Sequence, residues 1–399
     1  MNSKNLLFLT TQLPAPAISG GVIKTAKLVE HLSQEYNLFL GCLLKDEDNF
    51  NVVNYQKTVR IAGFFSEELT INRSPLSFLK SVIANKTLNE FRNFSAFFSV
   101  KVEEVSQQCD LIFIDHFEMF QYVPSTFKGK VVFHEHNAEW VLWKRFAEIA
   151  TNPIKKAVLN FESNRIKKKE IEAITVSNLT FASPNDRAVF LKCGIKNSAI
   201  EETYHLGNDN MLDLPELEFD KLPDNLVFVG TLSWEANVDG LIYFMEEILP
   251  KVIEVKPMLK FIIAGKNPPD RLIEISKRFS STIEFTGFLE HLEEVFTLGK
   301  VFVLPLRFGS GMKVKFLDAL YRGMPVVSST IGSEGIDVVN HKHAEITDNS
   351  SEFAQSILDL LASKLAWEEM SRAQKKLAKQ KYTWQAHLKS ISEGLNSIQ

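Results

Sequence analysis

Short apolar runs punctuate the second half of the chain, at 226–230, 259–265, 283–285, 301–305 and 325–328. Amphipathic stretches separate them, at 237–255, 270–279, 289–298 and 312–322. Buried strands that do not alternate, joined by helices of this length, predict βαβ units and a parallel sheet with helices on both faces. Gly323 is placed to close a helix, and Pro325 to open the next strand. The first half repeats the theme less cleanly, with strands expected at 6–9, 37–43, 110–114, 130–133 and 175–181. Gly20 and Gly21 follow the first of these and open a helix through Leu28 and Leu32, and a single long helix is expected over 77–107. The acidic stretch 213–224 has two prolines and no period, and reads as a linker. The pattern therefore predicts two α/β domains of Rossmann-like type, 1–212 and 225–380, joined by 213–224. Near the end of the sequence, Trp384, His387, Leu388 and Ile391 recur at three- and four-residue steps and predict a helix with one apolar stripe.

Composition narrows the field. A chain of 399 residues with 45% hydrophobic and 24% charged positions can bury two cores. Its net charge of −4 argues against a general nucleic-acid binder. Cys42, Cys109 and Cys193 are widely spaced and odd in number, so free thiols in a reducing compartment are expected. No apolar run approaches the ~20 residues that span a bilayer. The apolar residues at 6–9 fit a first strand better than a signal peptide, since two threonines and then Pro14 and Pro16 follow. A cytoplasmic location is expected.

The strongest chemical signal runs from Pro305 to Leu320. A strand feeds through a loop containing Gly309, Ser310 and Gly311 into a helix that carries Lys313 and Lys315 in its first turn. Glycines admit a close approach of backbone N–H groups, and a helix N-terminus offers unpaired donors and partial positive charge. Together they suit a diphosphate. Asp318, three residues after Lys315, is placed to accept hydrogen bonds from ribose hydroxyls. From these residues alone, a solvated helix behind a capping glycine loop reads equally well.

The stretch 305–335 resembles, ungapped, the C-terminal-domain pattern of the retaining group-1 (family 4) glycosyltransferases of the GT-B fold. The blocks 229–244, 263–265 and 285–287 look like further parts of the same domain. The resemblance implies two Rossmann-like domains facing across a cleft, with a C-terminal helix, 381–399, crossing back to the first. It implies a nucleotide-sugar donor held by the second domain, through Lys315 at the diphosphate and Asp318 at the ribose. Gly230, Thr231, Asn237, Arg307, Gly309, Ser310, Gly311 and Lys313 complete the expected donor set. Asp318 replaces the family's glutamate and is one methylene shorter. Thr231 and Asn237 stand where many relatives carry an arginine and a lysine, and Ser310 replaces the first acid of the family's paired-glutamate element. Retention of configuration is implied, with neither cofactor nor metal.

In the first half the resemblance is one of outline. Gly20 and Gly21 match a glycine pair beside donor phosphate and acceptor. Asp115 and His116 end a strand where relatives place a histidine facing the donor sugar, although a lone histidine there is more often structural. His134 and His136 suggest zinc, but the sequence completes no metal site, and His136-Asn137 is read as a loop lining the acceptor side. The basic segment 154–170 is a solvated helix face, or a peripheral contact with anionic membrane lipid at the inner face of the membrane or with a lipid-linked acceptor. The acceptor is expected to be a carbohydrate or a lipid-linked group. The competing readings are a nucleotide-sugar epimerase of the same fold, a non-catalytic sugar-nucleotide-binding partner subunit, and a dinucleotide oxidoreductase. The last is weakened by the lack of a compact G-x-G-x-x-G after the first strand.

Overall fold

The computed structural model describes residues 4–17, 20–44, 49–69, 74–204, 206–309 and 311–398. It divides into two compact units: Met1–His205 with His387–Gln399, and Leu206–Ala386. The stretch 213–224 lies within the second unit.

The first unit runs β1 (Asn5–Thr10), α1 (Gly20–Glu35), β2 (Asn37–Leu44), α2 (Asn49–Thr58), β3 (Gly63–Glu68), α3 (Pro75–Ile83), α4 (Leu88–Arg92), α5 (Ala96–Ser106), β4 (Leu111–Asp115), β5 (Lys130–His134), α6 (Glu139–Ile149), α7 (Pro153–Val176), β6 (Leu179–Ala182), α8 (Pro184–Lys192) and β7 (Ile200–Glu202). Its strands form one parallel sheet in the order β3-β2-β1-β4-β5-β6-β7. Side chains alternate across this sheet. Leu6 and Phe8 pack with Leu28 and Leu32 of α1, while Leu7 and Leu9 pack with Phe98 of α5 and Ile166 of α7.

The second unit runs β8 (Leu226–Val229), α9 (Glu235–Tyr243), a π-helical turn at Phe244–Ile248, α10 (Leu249–Val255), β9 (Phe261–Ala264), α11 (Asp270–Ser276), β10 (Ile283–Gly287), β11 (Val301–Leu304), α12 (Val314–Arg322), β12 (Val326–Ser328), β13 (Glu345–Ile346), α13 (Ser350–Ala362), α14 (Lys364–Lys381) and α15 (Trp384–Ser397). Its sheet has the order β10-β9-β8-β11-β12-β13, again parallel. Gly323 closes α12 in the left-handed conformation, as its position predicts. From His387 onward α15 belongs to the first unit, where Ile391 and Leu395 are fully buried in the core that holds Leu6 and Phe8.

Three expectations need correcting. The helix expected over 77–107 is three helices, because the Thr87 side chain accepts from the Glu90 amide while Glu90 returns the bond to the Thr87 amide, starting α4 afresh. Ser95 then caps α5. The strand expected at 175–181 starts only at Leu179, since α7 continues to Val176. The stretch 289–298 is reduced to a 3₁₀ turn at Leu292–Thr297. The strands β3, β7 and β13 were not anticipated.

Candidate functional site

In an open parallel sheet, ligands bind beyond the carboxyl ends of the strands, where the strand order reverses. That point lies between β1 and β4 in the first unit and between β8 and β11 in the second.

In the second unit, β11 runs into a loop and Lys313 takes the N-cap position of α12. Gly311, with φ 66°, adopts a conformation that suits glycine. Lys315, in the first turn, reaches across to the neighbouring strand end. Its Nζ donates to Oδ1 of Asn237 at 2.6 Å and stands 4.6 Å over the ring of Phe228. The amide of Asn237 in turn donates to the carbonyl of Thr231 at 2.8 Å. A Cβ on Gly230 would sit 2.6 Å from the lysine Nζ and 2.9 Å from the Asn237 amide nitrogen, so the glycine leaves room for both side-chain ends as they stand. Burial, reinforced by the charge of Lys313, lowers the Lys315 pKa to about 7. Lys313 donates to the carbonyl of Gly311 and lies 3.9 Å from Glu334.

Two expected donor residues already have partners within the second unit. Arg307 forms a two-pronged pair with Asp239 of α9, at 2.8 and 2.5 Å, which matches its charge. Asp318 is buried, and its Oδ1 accepts from the amide of Asn208 at 3.3 Å beside Gly207. Burial pushes its pKa up to about 7, opposed by that backbone hydrogen bond. Ser310 lies outside the described residues.

In the first unit the centre is Asp115, the last residue of β4, fully buried. Register places it beside Thr10 at the end of β1 and His134 at the end of β5. Its Oδ1 lies 2.7 Å from Nδ1 of His134 and 2.6 Å from Nε2 of His136. Its Oδ2 accepts from the hydroxyls of Thr10 and Thr25, at 3.0 and 2.7 Å. Burial alone would raise this carboxyl, but the neighbouring histidines and their hydrogen bonds hold it well below the usual carboxylate range. Burial lowers His134 to about 3 and His136 to about 4. The consistent protonation state is therefore an ionised carboxylate receiving N–H from two neutral imidazoles.

His116 stacks on His136, with ring centroids 3.8 Å apart and planes at 14°. Its φ of 82° is unusual outside glycine, and backbone strain of this kind gathers at functional sites. The nearest atom to a Cβ built on Gly21 would be Nδ1 of His136 at 3.8 Å, so the start of α1, opened by Gly20, borders the cluster. Asn137 follows in a bend, half-buried.

The sequence offered His134 and His136 no third metal ligand, but the fold supplies one. Ligand atoms of Asp115, His134 and His136 all lie within 4.8 Å of one another and can hold a metal ion. Their separations of 2.6 and 2.7 Å are those of hydrogen bonds, however, with a proton on each shared line.

Sequence reasoning missed Lys24. It is fully buried, and its Nζ has no hydrogen-bond partner among the described residues. Burial brings its pKa to about 7, against the attraction of Asp115, Asp186 and Glu135. A signal was present, since Lys24, Leu28 and Leu32 recur every four residues on one helix face.

Residues 223–363 match the family described as Glycosyl transferases group 1. The uncharacterized 44.6 kDa protein in the cps region of Klebsiella pneumoniae is 24% identical over 370 residues, covering 89% of this chain and 90% of that one. Among solved structures, HepE of Anabaena, in complex with UDP and glucose, aligns with a TM-score of 0.67 at 14% identity, covering 99% of this chain and 100% of the other. Sucrose-phosphate synthase from Thermosynechococcus elongatus aligns with a TM-score of 0.71 at 12% identity and 99% coverage of both chains. The resemblance seen in 305–335 thus falls inside the segment that matches that family, and the fold of the chain is the GT-B fold of these solved structures.

Proposed function

We propose that this chain is a glycosyltransferase that takes a sugar from a nucleotide-sugar donor, with retention and without a metal ion, and passes it to a carbohydrate or lipid-linked acceptor. The observation that carries this reading is the convergence of Lys315, Gly230 and Asn237 at the start of α12. A lysine in a first helical turn, held beside a glycine with no side chain in the way, suits the two phosphates of a nucleoside diphosphate. When the glycosidic bond of the donor breaks, negative charge grows on the leaving diphosphate. The amides of α12 with Lys313 and Lys315 would stabilise it without a metal.

On the acceptor side, the ionised Asp115 fixes both the tautomer and the orientation of His136. His136 supports the ring of His116, and that stacked pair would face the sugar hydroxyls. Peripheral contact with anionic lipid through 154–170 belongs to the same reading, and no helix among the described residues is long and apolar enough to cross a membrane.

Because HepE is in complex with UDP and glucose, UDP-sugars are the first donors to try. The test is calorimetry of the whole chain against UDP-, GDP- and dTDP-sugars, followed by a transfer assay across an acceptor panel. Saturable binding of one nucleotide class with transfer to an acceptor is expected. Failure of every nucleotide sugar to bind would overturn the reading.

A further inference from the structure

Two helices of the first unit, α3 and α7, each carry a row of exposed apolar side chains. Leu76, Leu79 and Ile83 of α3 are 64%, 56% and 78% exposed, and their steps of three and four place them on one face. Ile154, Val158 and Phe161 do the same on the first turns of α7, at steps of four and three. The helices are neighbours. The rings of Phe78 and Phe161 meet edge-on at 6.3 Å, and the guanidinium of Arg165 donates to the carbonyls of Ser81, at 3.1 Å, and Lys86. Phe94 is also exposed, with Nζ of Lys86 3.4 Å over its ring.

The charge on this face has one sign. Over 75–83 and 153–161 the lysines are Lys80, Lys155 and Lys156, all exposed, and there is no acidic residue. Further along α7 three of the basic side chains are engaged within the unit. Arg165 pairs with Glu162 at 2.6 Å, Lys169 with Glu172 at 3.3 Å, and Lys167 lies over the ring of Trp140.

We propose that α3 and the first two turns of α7 form one docking face for an anionic lipid bilayer. The apolar stripes enter the boundary between headgroups and acyl chains, while Lys80, Lys155 and Lys156 meet lipid phosphates. A bilayer fits better than a protein groove. The stripes lie on two separate helices rather than one, and a deformable surface covers both at once. Unopposed lysines beside apolar side chains are the pattern of an interfacial helix. The inference narrows the contact proposed for 154–170 and adds α3, and it holds whether or not the chain transfers a sugar.

The test uses the full chain and sedimentation with vesicles of phosphatidylcholine, alone or enriched in phosphatidylglycerol. Binding should be at least roughly tenfold tighter to the enriched vesicles, since each basic residue near an anionic surface adds roughly fivefold and this face offers three. Lys155→Glu/Lys156→Glu should remove that preference, and Leu79→Ser/Ile83→Ser should weaken binding even at low salt. All positions are exposed, so melting temperature and nucleotide-sugar binding should match wild type in both variants. Equal, weak binding to both vesicle types overturns the inference. So does a dimer in analytical ultracentrifugation that either variant dissolves, since a second copy would then cover the face. Loss of nucleotide-sugar binding in the wild-type chain would count against the glycosyltransferase reading alone.

Discussion

The Nζ of Lys315 donates to Oδ1 of Asn237 at 2.6 Å, tying the first turn of α12 to α9 through a lysine whose pKa burial has brought to about 7. A group so poised changes charge with small changes in its surroundings, and an arriving diphosphate is a large change.

Lys315→Ala should leave the fold intact and weaken nucleotide-sugar binding by ~1.5–3 kcal/mol, the usual worth of a charge-assisted hydrogen bond. Calorimetry decides it. Wild-type affinity in this variant would remove the lysine from the diphosphate site.

The same residue sets a pH dependence. The diphosphate needs the protonated lysine, and in the free protein that form is lost as pH rises through about 7. Affinity for a UDP-sugar should therefore fall above that pH, by at most about tenfold per unit. Lys315→Arg, whose charge does not titrate in this range, should lack the fall. A wild-type affinity that is flat or rises between neutral and alkaline pH would contradict the assignment.

Asp318→Asn should weaken binding of UDP more than binding of pyrophosphate, because the expected contact is to ribose. Equal losses would place Asp318 outside the ribose site, with its bond to the Asn208 amide as its main role.

Turnover should survive EDTA, and the purified chain should carry no stoichiometric zinc in elemental analysis. A metal would have to displace the short hydrogen bonds that join Asp115 to His134 and His136, and the positive form of the buried Lys24 would oppose a cation there. Activity abolished by EDTA and restored by one metal would convert the cluster into a metal centre.

Ile391→Ala should cost ~2–4 kcal/mol, since the side chain is fully buried. The melting temperature should drop by several degrees, while nucleotide-sugar affinity stays unchanged because the donor residues lie in the second unit. An unchanged melting temperature would show that α15 contributes little to that core.

The strand–loop–helix–strand order around α12 was legible because its residues are close together in sequence: 301–335 carry β11, a glycine loop, α12 and β12 without a gap. The first unit's centre was not, because the partners of Asp115 come from β1, α1, β5 and the loop after it. No local period links Thr10, Thr25, His134 and His136, and only the register of the sheet aligns them. The break inside 77–107 was available in the text of the chain, since Thr87-Leu-Asn-Glu90 spells a capping box. Hydrophobic content outweighed it. The pairing of Arg307 with Asp239 joins residues far apart along the chain and left no comparable trace.

The position of α15 also sets a schedule for synthesis. Residues up to His205 leave the ribosome early, yet their core lacks Ile391 and Leu395 until about 180 more residues have been made, roughly 10–40 s at ordinary elongation rates. For that interval, the part of the core that these side chains will cover is open to chaperones. The first unit is thus the first to be made and the last to be completed, and the second can close its own sheet before the first is sealed.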